Sequence, residues 1–440
     1  MTGPRIVLLA LYHQECLAVR ILHAVLEREG FDVVSLFFKG RDTGNNFEKY
    51  SGDELAYLVE QIYKLGPALV GISVMSAFFD VASEITGRIK ELDSAPLVLW
   101  GGIHPTIRPE QCLEVADVVC VGEGEEAVVE LAMALRDKAD ISSIKNLWMR
   151  GHNNELRPLI QDLDSLPFAS CSRDQKYIVE KRRMQPYDYN KVVHREGFRF
   201  MTSRGCPFGC AYCANSFLRA AYKGKGRYLR QRSVDNVIQE LVHLKNRYRL
   251  GLIHFFDDVF AVDFEWTREF CEKYKEKVGG PFWCYCQPRA TDEKTLLLLK
   301  DVGLVQVQIG IQSGSERIRR DYFKRYDTNN DILRSVNTLC NVGVAWGCDL
   351  IVDNPAEKAE DYQQTAQLLS RFPRPFSANI VTLTHFPEYE LTRRFLAEGK
   401  IREEDVEDQM SKGFKHSKWD FGLDPQRAIA FFVRLAEAAS

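Results

Sequence analysis

Apolar and amphipathic segments alternate along the first 140 residues. Short, almost continuous apolar runs such as PRIVLLAL and FDVVSLFF precede longer segments whose apolar residues recur every three or four positions. The first pattern predicts buried β-strands and the second predicts amphipathic helices. Residues 1–140 are therefore predicted to form a doubly wound, Rossmann-like α/β domain, a parallel sheet with helices on both faces. Such a sheet binds its ligand at the carboxyl ends of its strands.

The alternation stops between residues 141 and 194, which are rich in Asp, Pro and Ser and are predicted to form a linker. It resumes in residues 195–394, where six strand-like runs alternate with helical segments. This pattern predicts a partial, TIM-like (βα)6 barrel with its chemistry at the C-terminal ends of the strands. Residues 395–440 are predicted to be a short helical region. Its last helix has no stop signal, which is compatible with a chain that continues beyond Ser440.

Composition narrows the class of protein. A chain of 440 residues is too long for one ordinary domain, and its net charge of −3 provides no basic field for nucleic acid. No run reaches the roughly 20 apolar residues of a membrane span, and the N-terminus is typical of a strand rather than a signal peptide. The twelve cysteines form no regular disulfide framework. We therefore expect a cytoplasmic protein with no nucleic-acid partner and no membrane span.

Three cysteines are close together in the run SRGCPFGCAYCANS, directly after the first strand of the second unit. Thiolates are the usual ligands of iron–sulfur clusters. Because Cys206, Cys210 and Cys213 supply only three ligands for four irons, one iron of a [4Fe–4S] cluster would stay open, as reactive metals require. Gly205 and Gly209 are predicted to let the loop curl around the cluster.

A zinc site and a loop of ordinary thiols are the alternatives. Zinc normally takes four ligands in two closely spaced pairs, and the second pair is absent from this run. Cys284 and Cys286, on one face of a later strand, remain candidates to complete a metal site.

The spacing CxxxCxxC, with Tyr212 before its last cysteine, resembles the signature of the radical S-adenosylmethionine superfamily, and the similarity extends over residues 195–400. The resemblance implies that S-adenosylmethionine binds the open iron through its amino and carboxylate groups. One electron from the reduced cluster then breaks the S–C5′ bond, and the 5′-deoxyadenosyl radical takes a hydrogen atom from an unactivated carbon. An electron donor such as flavodoxin or ferredoxin is implied as a partner.

The resemblance also implies residues that contact S-adenosylmethionine. Asp257 and Asp258 in FFDDVF resemble an acidic turn near the cofactor's amino group, and GIQSGSE resembles a GIESGSE-like turn. Helix capping and surface exposure are the alternatives for the acids, and capping of a helix near Glu316 is the alternative for the serines. The implied contacts are Tyr212, Asp257, Asp258, Gln312, Ser313 and Ser315.

The first unit resembles the cobalamin-binding domains that precede many of these enzymes. The resemblance lies in GISVMS, WGGIHPTIRPE and VGEGE, whose glycines are predicted to let a ligand approach the backbone, with a helix N-terminus to accept phosphate. The implied cobalamin contacts are His13, Ser73, Met75, Ser76, Gly101, Gly102, His104, Gly122 and Glu123. None of the nine histidines lies in a D-x-H-x-x-G motif, so we expect no such histidine below the cobalt. Local hydrogen bonding remains the alternative for His13 and His104.

The function that these resemblances imply is that of a cobalamin-dependent radical methyltransferase. Methylcobalamin would deliver the methyl group to the unactivated carbon after hydrogen abstraction. The alternatives are a non-methylating enzyme of the same kind (a cyclase, ring-contracting enzyme or oxidase) and a non-catalytic cobalamin or iron–sulfur binding protein. The sequence identifies neither the substrate, a peptide or a small molecule, nor a catalytic side chain. The segments HFPEYELT and KGFKHSKWDFG follow the last barrel strand and are expected either to line the site or to pack against it.

Overall fold

The structure is a computed structural model that describes residues 3–40, 48–411, 418–420 and 424–440. The chain forms two compact units. The first comprises residues 1–196, 222–227 and 410–413, and the second comprises residues 197–221, 228–409 and 414–440. Of the segment KGFKHSKWDFG only residues 418–420 are described, so its predicted place at the site lies outside the described residues.

The first unit contains a nine-stranded sheet with helices α1–α7. The strands are β1 (Ile6–Leu11), β2 (Val33–Phe38), β3 (Leu69–Ser73), β4 (Leu97–Gly101), β5 (Val118–Cys120), β6 (Leu147–Met149), β7 (His152–Asn153), β8 (Lys176–Glu180) and β9 (Arg183–Pro186). The helices are α1 (Leu17–Arg28), α2 (Gly52–Leu65), α3 (Phe79–Lys90), α4 (Ile103–Ile107), α5 (Pro109–Leu113), α6 (Glu125–Asp137) and α7 (Tyr189–Glu196).

The strand order is β7-β6-β5-β4-β3-β1-β2-β8-β9, and the six strands from β5 to β8 in this order are parallel. The order 2-1-3-4-5 is that of a doubly wound sheet, as the sequence predicts. Every residue of β1 is buried, which explains its unbroken apolar run. The core contains the side chains of Val7, Leu36, Val70 and Trp100.

The predicted linker, residues 141–194, differs from the structure. Strands β6 and β7 extend one edge of the sheet, and β8 and β9 extend the other. These strands are short, and the pairings β5–β6, β6–β7 and β8–β9 are antiparallel. Polar strands at a sheet edge lack the long apolar run that identifies a central strand, so the segment has the composition of a connection.

The second unit contains a seven-stranded sheet, a two-stranded ribbon and helices α8–α16. Its strands are β10 (Phe198–Phe200), β11 (Ser203–Arg204), β12 (Arg230–Gln231), β13 (Ile253–Phe255), β14 (Phe282–Cys286), β15 (Leu304–Gln312), β16 (Ala345–Val352), β17 (Ser377–Thr382) and β18 (Lys418–Asp420). Its helices are α8 (Ala214–Ala221), α9 (Val234–Arg247), α10 (Phe264–Lys277), α11 (Glu293–Asp301), α12 (Asn329–Val342), α13 (Ala359–Ser370), α14 (Glu390–Ala397), α15 (Glu403–Ser411) and α16 (Pro425–Ala438).

The sheet order is β10-β13-β14-β15-β16-β17-β18, and the first six strands are parallel and in chain order. This is the (βα)6 arrangement that the sequence predicts, with β18 added antiparallel at one edge. Phe255 packs among the rings of Phe260, Phe270 and Phe282 on the helical side of the sheet. The parallel strands bring their carboxyl ends to one edge, where the cysteine loop follows β10 and β11.

Candidate functional site

The three cysteines share one open cleft in the second unit. Cys206, Cys210 and Cys213 lie between β11 and α8, and all three line a cavity of about 190 Å³. The loop turns at Gly205, whose φ is 88°, and a side chain there would overlap the carbonyl group of Tyr228. Glycine is therefore required at position 205. Gly209 has no positive φ and no close neighbour, so the flexibility predicted for it has no counterpart in the structure.

Two distant segments hold the loop by its backbone. The amide of Ala211 donates to the carbonyl of Phe323 at 3.0 Å, and the carbonyl of Ala211 accepts from the amide of Leu391 at 3.0 Å. The ring of Tyr212 packs edge-on against that of Phe323, with centroids 4.9 Å apart. Leu391 belongs to the segment HFPEYELT, and none of the residues of this segment lines the cleft, which agrees with the packing alternative.

The donor set suits a cluster better than a single ion. The described residues contain no group of three or more His, Cys, Asp or Glu side chains placed to hold one metal ion. A [4Fe–4S] cluster has no such requirement, because each thiolate binds a different iron. The cavity of about 190 Å³ is also far larger than the roughly 10–15 Å³ that one water-sized occupant fills. The residues present therefore fit a cluster.

Burial raises the pKa of the Cys206 thiol to about 12, and it also raises that of Cys213. Neither thiol has the low pKa of a cysteine that acts as a nucleophile. Thiolates at these positions need a metal to replace the proton, which is how iron–sulfur ligands are deprotonated.

The lining of the cleft includes an acidic side chain, Asp258, and a basic one, Arg325. Asp258 lines it, and burial raises the pKa of this carboxyl. Arg325, 4% exposed, donates to the carbonyl of Gly310 at 2.6 Å and to Asp327 at 3.0 Å, while its Nε has no acceptor among the described residues. A carboxylate and a guanidinium suit the ammonium and carboxylate of an amino-acid group such as that of S-adenosylmethionine.

The structure divides the predicted S-adenosylmethionine residues into two groups. Tyr212, Asp258 and Gln312 line the cleft, whereas Asp257, Ser313 and Ser315 are buried outside its lining. Sequence reasoning missed several lining residues, which come from the cysteine loop, the helix after it, the ends of β14, β15 and β16, and the segment before α12. These are Phe208, Asn215, Tyr285, Gln287, Gly310, Arg325 and Asp349. Only Phe208 and Asn215 carried a local signal, because Phe208 lies between Cys206 and Cys210 and Asn215 lies two residues beyond Cys213.

Asp257 ties the start of the cysteine loop to β13. Its Oδ1 accepts from the amide of Thr202 at 2.9 Å, from the Thr202 hydroxyl at 3.0 Å and from the Ser203 hydroxyl at 2.5 Å. The side chain is only 1% exposed. Burial raises its pKa to about 6, against the opposing effect of these hydrogen bonds. Asp257 therefore holds the start of the cysteine loop in position through these hydrogen bonds.

We expect Asp257→Asn to change how stability depends on pH. Because the folded pKa of about 6 lies above the ordinary value of 3.8, the folded state holds this proton more tightly. The contribution of protonated Asp257 to the free energy of unfolding is complete below about pH 4. It is lost as pH rises through 6, and the loss is up to about 3 kcal/mol. The free energy of unfolding, measured in urea at pH 4.5 and 7.5, should therefore lack this part of its pH dependence in the variant. Equal slopes in both proteins would contradict the assignment.

The two serines of GIQSGSE form a buried framework. The Ser315 hydroxyl donates to Asp361 at 2.6 Å and accepts from the amide of Ile318 at 3.3 Å, which is the capping role weighed as the alternative. The Ser313 hydroxyl accepts from the amide of Ser315 at 3.2 Å. Gln312 has a φ of 72° at the end of β15 and lines the cleft.

Cys284 and Cys286 lie on β14 and are both buried. Only Cys286 lines the cleft. A hydrogen bond to Cys286 and burial raise the pKa of the Cys284 thiol. With no metal-binding group of three among the described side chains, this pair does not complete a zinc site.

All nine predicted cobalamin residues follow the carboxyl ends of β1, β3, β4 and β5, at one edge of the first sheet. They are His13, Ser73, Met75, Ser76, Gly101, Gly102, His104, Gly122 and Glu123. This edge includes the boundary between β1 and β3 where the winding reverses, the usual ligand position in such sheets. The positions of these nine residues fit a large ligand bound along the strand ends.

Part of this edge is already used by the protein. A side chain at Gly102 would lie 2.9 Å from the carbonyl oxygen of Val74. A side chain at Gly122 would overlap the hydroxyl of Tyr222, which accepts from the amide of Glu123 at 3.0 Å. These glycines therefore permit close packing of the chain itself, where the sequence predicts close approach of a ligand.

The predicted phosphate site at the start of α6 also differs from the structure. The first turn of α6 carries Glu125 and Glu126. Carboxylates there already complement the positive end of the helix dipole and repel a second anion. The Glu123 side chain accepts from the amide of Ile160 at 3.0 Å.

Replacing Tyr222 with phenylalanine is expected to weaken the turn at Glu123. The lost hydrogen bond is worth about 1 kcal/mol, or roughly fivefold faster hydrogen exchange at the Glu123 amide. Exchange mass spectrometry of peptides spanning this turn measures the effect. The matched control is Tyr63→Phe, at an exposed position of α2. Unchanged exchange in Tyr222→Phe would refute this role.

His104 makes the local hydrogen bond that is the alternative to a corrin contact. Its Nδ1 lies 3.1 Å from the Ser76 hydroxyl, and its ring packs near that of Phe79. Burial lowers the pKa of His104 to about 4, so the ring is neutral near pH 7. His13 follows β1 and is partly buried, and its carbonyl accepts from the amide of Cys16.

None of the helices in the described part of the chain combines the length and apolar character that crossing a bilayer requires.

Comparison with known families gives two matches. Residues 6–132 match the B12 binding domain, and residues 200–369 match the radical SAM superfamily. The first match covers strands β1–β5 of the first sheet, and the second covers the second sheet from the end of β10 to β16.

Curated relatives and a solved structure extend along most of the chain. An uncharacterized methyltransferase of Pyrococcus horikoshii is 27% identical over 85% of this chain and 80% of its own length. The anaerobic magnesium-protoporphyrin IX monomethyl ester cyclase of Rubrivivax gelatinosus is 26% identical over 74% of this chain, which spans only 58% of that enzyme. One solved structure is that of the radical S-adenosylmethionine methyltransferase TsrM of Kitasatospora setae, with cobalamin and a [4Fe–4S] cluster bound. Its comparison with this chain gives a TM-score of 0.70 at 21% identity, and the match covers 90% of this chain and 78% of TsrM. The likeness to TsrM establishes the shared fold.

Proposed function

We propose that this chain is a cobalamin-dependent radical S-adenosylmethionine enzyme that transfers a methyl group to an unactivated carbon, because its residues 6–132 match the B12 binding domain and its residues 200–369 match the radical SAM superfamily. The observation that carries the proposal is the set of three cysteines, two buried and one half-buried, in a cleft whose lining also contains the carboxyl of Asp258 and the guanidinium of Arg325. When bound, the cluster supplies the electron that cleaves S-adenosylmethionine, and cobalamin carries the methyl group. A flavodoxin or ferredoxin type of protein is the proposed source of that electron.

In this proposal Cys206, Cys210 and Cys213 hold three irons, and the fourth is left for S-adenosylmethionine. Asp258 accepts a hydrogen bond from the amino group of the cofactor, and Arg325 pairs with its carboxylate. Both side chains are held by other groups, Asp258 by Asn215 and Arg325 by Asp327. Their positions are thus set before the cofactor enters, which lowers the entropy cost of binding.

For the first unit we propose that cobalamin binds along the carboxyl ends of β1, β3 and β4. His13, Ser73, Met75 and Gly101 are the partly exposed members of the predicted set at these strand ends, and Gly102 is exposed. Gly101 has only Cys120 within 4 Å of an added Cβ, at 3.7 Å, so its surroundings are the most open of the glycines there. The absence of D-x-H-x-x-G from the sequence supports a cobalt without that histidine ligand.

The experiment that tests methyl transfer uses full-length protein reconstituted anaerobically with iron, sulfide and hydroxocobalamin. S-adenosylmethionine labelled with a CD3 group is supplied with a chemical reductant, and the products are followed by mass spectrometry. S-adenosylhomocysteine together with 5′-deoxyadenosine supports a methyltransferase. The absence of both from protein with a full cluster would overturn the proposal.

A second function is favoured by the cyclase relatives, which include the enzyme of Rubrivivax gelatinosus. In that case the same cleft supports a radical reaction without methyl transfer. The same assay then yields 5′-deoxyadenosine with no S-adenosylhomocysteine.

A further inference from the structure

The side chain of Asn215 lies against the sulfur of one of the three cysteines. Its Nδ2 is 3.5 Å from Sγ of Cys213, within the range of an N–H···S hydrogen bond. Asn215 is 9% exposed, and it lies in the first turn of α8, directly after the cysteine loop. Sulfur is a weak acceptor as a thiol, and it becomes a stronger one as a metal-bound thiolate.

Two further groups determine which way the amide faces. The Tyr228 hydroxyl donates to Oδ1 of Asn215 at 2.6 Å, and the Asp258 carboxylate accepts from Nδ2 at 3.1 Å. A carboxylate can only accept, so Nδ2 must face Asp258, and the second N–H of the same nitrogen then points to Cys213. All three polar directions of the amide are used.

Tyr228 is itself held in place. The guanidinium of Arg219 lies over its ring, 5.1 Å from the centroid, and donates to the carbonyl of Cys206. Arg219 also donates to the carbonyl of Phe208 at 3.3 Å. The orientation of Asn215 is therefore set by side chains from α8 and from the segment before β12, and it does not depend on solvent.

We propose that Asn215 is a positioning residue that tunes the reduction potential of the cluster through its hydrogen bond to the Cys213 sulfur. Hydrogen bonds to cluster sulfurs and solvent exposure are established determinants of such potentials. The reduced cluster carries one more negative charge than the oxidised one. An N–H dipole directed at sulfur therefore stabilises the reduced form and raises the potential.

The inference rests on the proposed function, because it takes Cys206, Cys210 and Cys213 as the cluster ligands. It goes further in naming a residue that binds neither iron nor substrate but sets how readily the cluster accepts its electron. Asn215 also connects Cys213 to Asp258, so one amide contacts both the proposed cluster and the proposed cofactor-binding acid.

The test is a redox titration, followed by electron paramagnetic resonance, of reconstituted full-length protein. Asn215→Leu keeps a similar volume and removes both N–H groups, and we expect the reduction equilibrium constant to fall about threefold to tenfold. A tenfold fall corresponds to a potential about 59 mV more negative for one electron. The matched control is Asn337→Leu, an exposed position of α12, which should leave the potential unchanged.

A second measurement separates tuning from a purely structural role. Pulsed paramagnetic resonance in D2O should detect the exchangeable deuteron of the Asn215 side-chain amide coupled to the wild-type cluster, beside that of the backbone amide of residue 215, and Asn215→Leu should lose only the side-chain deuteron. Tyr228→Phe, which keeps the N–H groups but frees the amide to rotate, should shift the potential in the same direction by a smaller amount. If Asn215→Leu does not assemble a cluster, Tyr228→Phe still provides the test.

Two results would overturn the inference. The first is an unchanged reduction potential in Asn215→Leu together with a retained coupling of that deuteron. The second, if Tyr228→Phe is the only variant that assembles a cluster, is an unchanged reduction potential in Tyr228→Phe. Failure of the proposed function gives a different result. In that case wild-type protein itself has no [4Fe–4S] signal after reconstitution, and no variant is needed to see it.

Discussion

Alanine at any one of Cys206, Cys210 and Cys213 is expected to reduce S-adenosylmethionine cleavage to background. In the proposed site each thiolate binds a different iron, and the only other thiol among the described residues that line the cleft is that of Cys286, on β14 rather than on the cysteine loop. A loss of at least a thousandfold is expected, equivalent to about 4 kcal/mol in the barrier. The measurement is 5′-deoxyadenosine formed per chain, together with bound iron and sulfide.

The control for this series is Cys340→Ala, because Cys340 is an exposed thiol on α12, away from the cleft. It should retain both cluster and turnover. Cys286→Ala tests the zinc alternative. Three cysteines suffice for the proposed site, so this variant should keep its iron, and loss of metal from it would contradict a three-thiolate cluster.

Gly314→Ala is expected to cause the largest loss of stability outside the cysteine loop. A Cβ at this position would collide with Cα of Thr365, and it would lie 2.8 Å from N of Thr365 and 2.9 Å from the carbonyl oxygen of Gln364. These are backbone atoms of α13, so neither neighbour can move as a side chain would. The Gly314 amide also donates to the Thr365 hydroxyl at 2.9 Å, a contact that the shift would break. The expected cost is about 3 kcal/mol.

The matched control is Gly87→Ala, an exposed position within α3 where nothing lies within 4 Å of an added Cβ. Removing a glycine from a helix interior usually stabilises it by about 0.5–1 kcal/mol. The two variants should therefore shift the urea midpoint in opposite directions. A Gly314→Ala protein as stable as wild type would show that α13 can move away from β15 without cost.

The sequence predicted the features that depend on neighbouring residues. Parallel strands buried on both faces have long apolar runs, so β1 was visible as a pattern, whereas β15 was visible through the alternation of apolar and polar residues in LVQVQIGIQ. The three cysteines lie within eight residues, so their common loop followed from the spacing alone. The same holds for the capping of the turn after Ser315, where the hydroxyl accepts from the amide three residues later.

Other features depended on residues far apart in the chain. Arg325 enters the cleft from the segment before α12 and Asp349 from β16, and no local pattern distinguishes them from surface charges. Asp257 and Asp258 are adjacent, yet successive residues after a strand point in opposite directions, so one supports the loop and the other lines the cleft.

Local chemistry along the chain therefore determined the strands, the helices and the trio of cysteines. The tertiary structure decided which polar side chains share the cleft, and it assigned Gly122 to the packing of Tyr222. The physical reason is that propensity and spacing act over a few residues. The direction of a side chain and the partner it meets are set by packing between segments that lie far apart in the chain. Glu123 and Tyr222, for example, are separated by 99 residues.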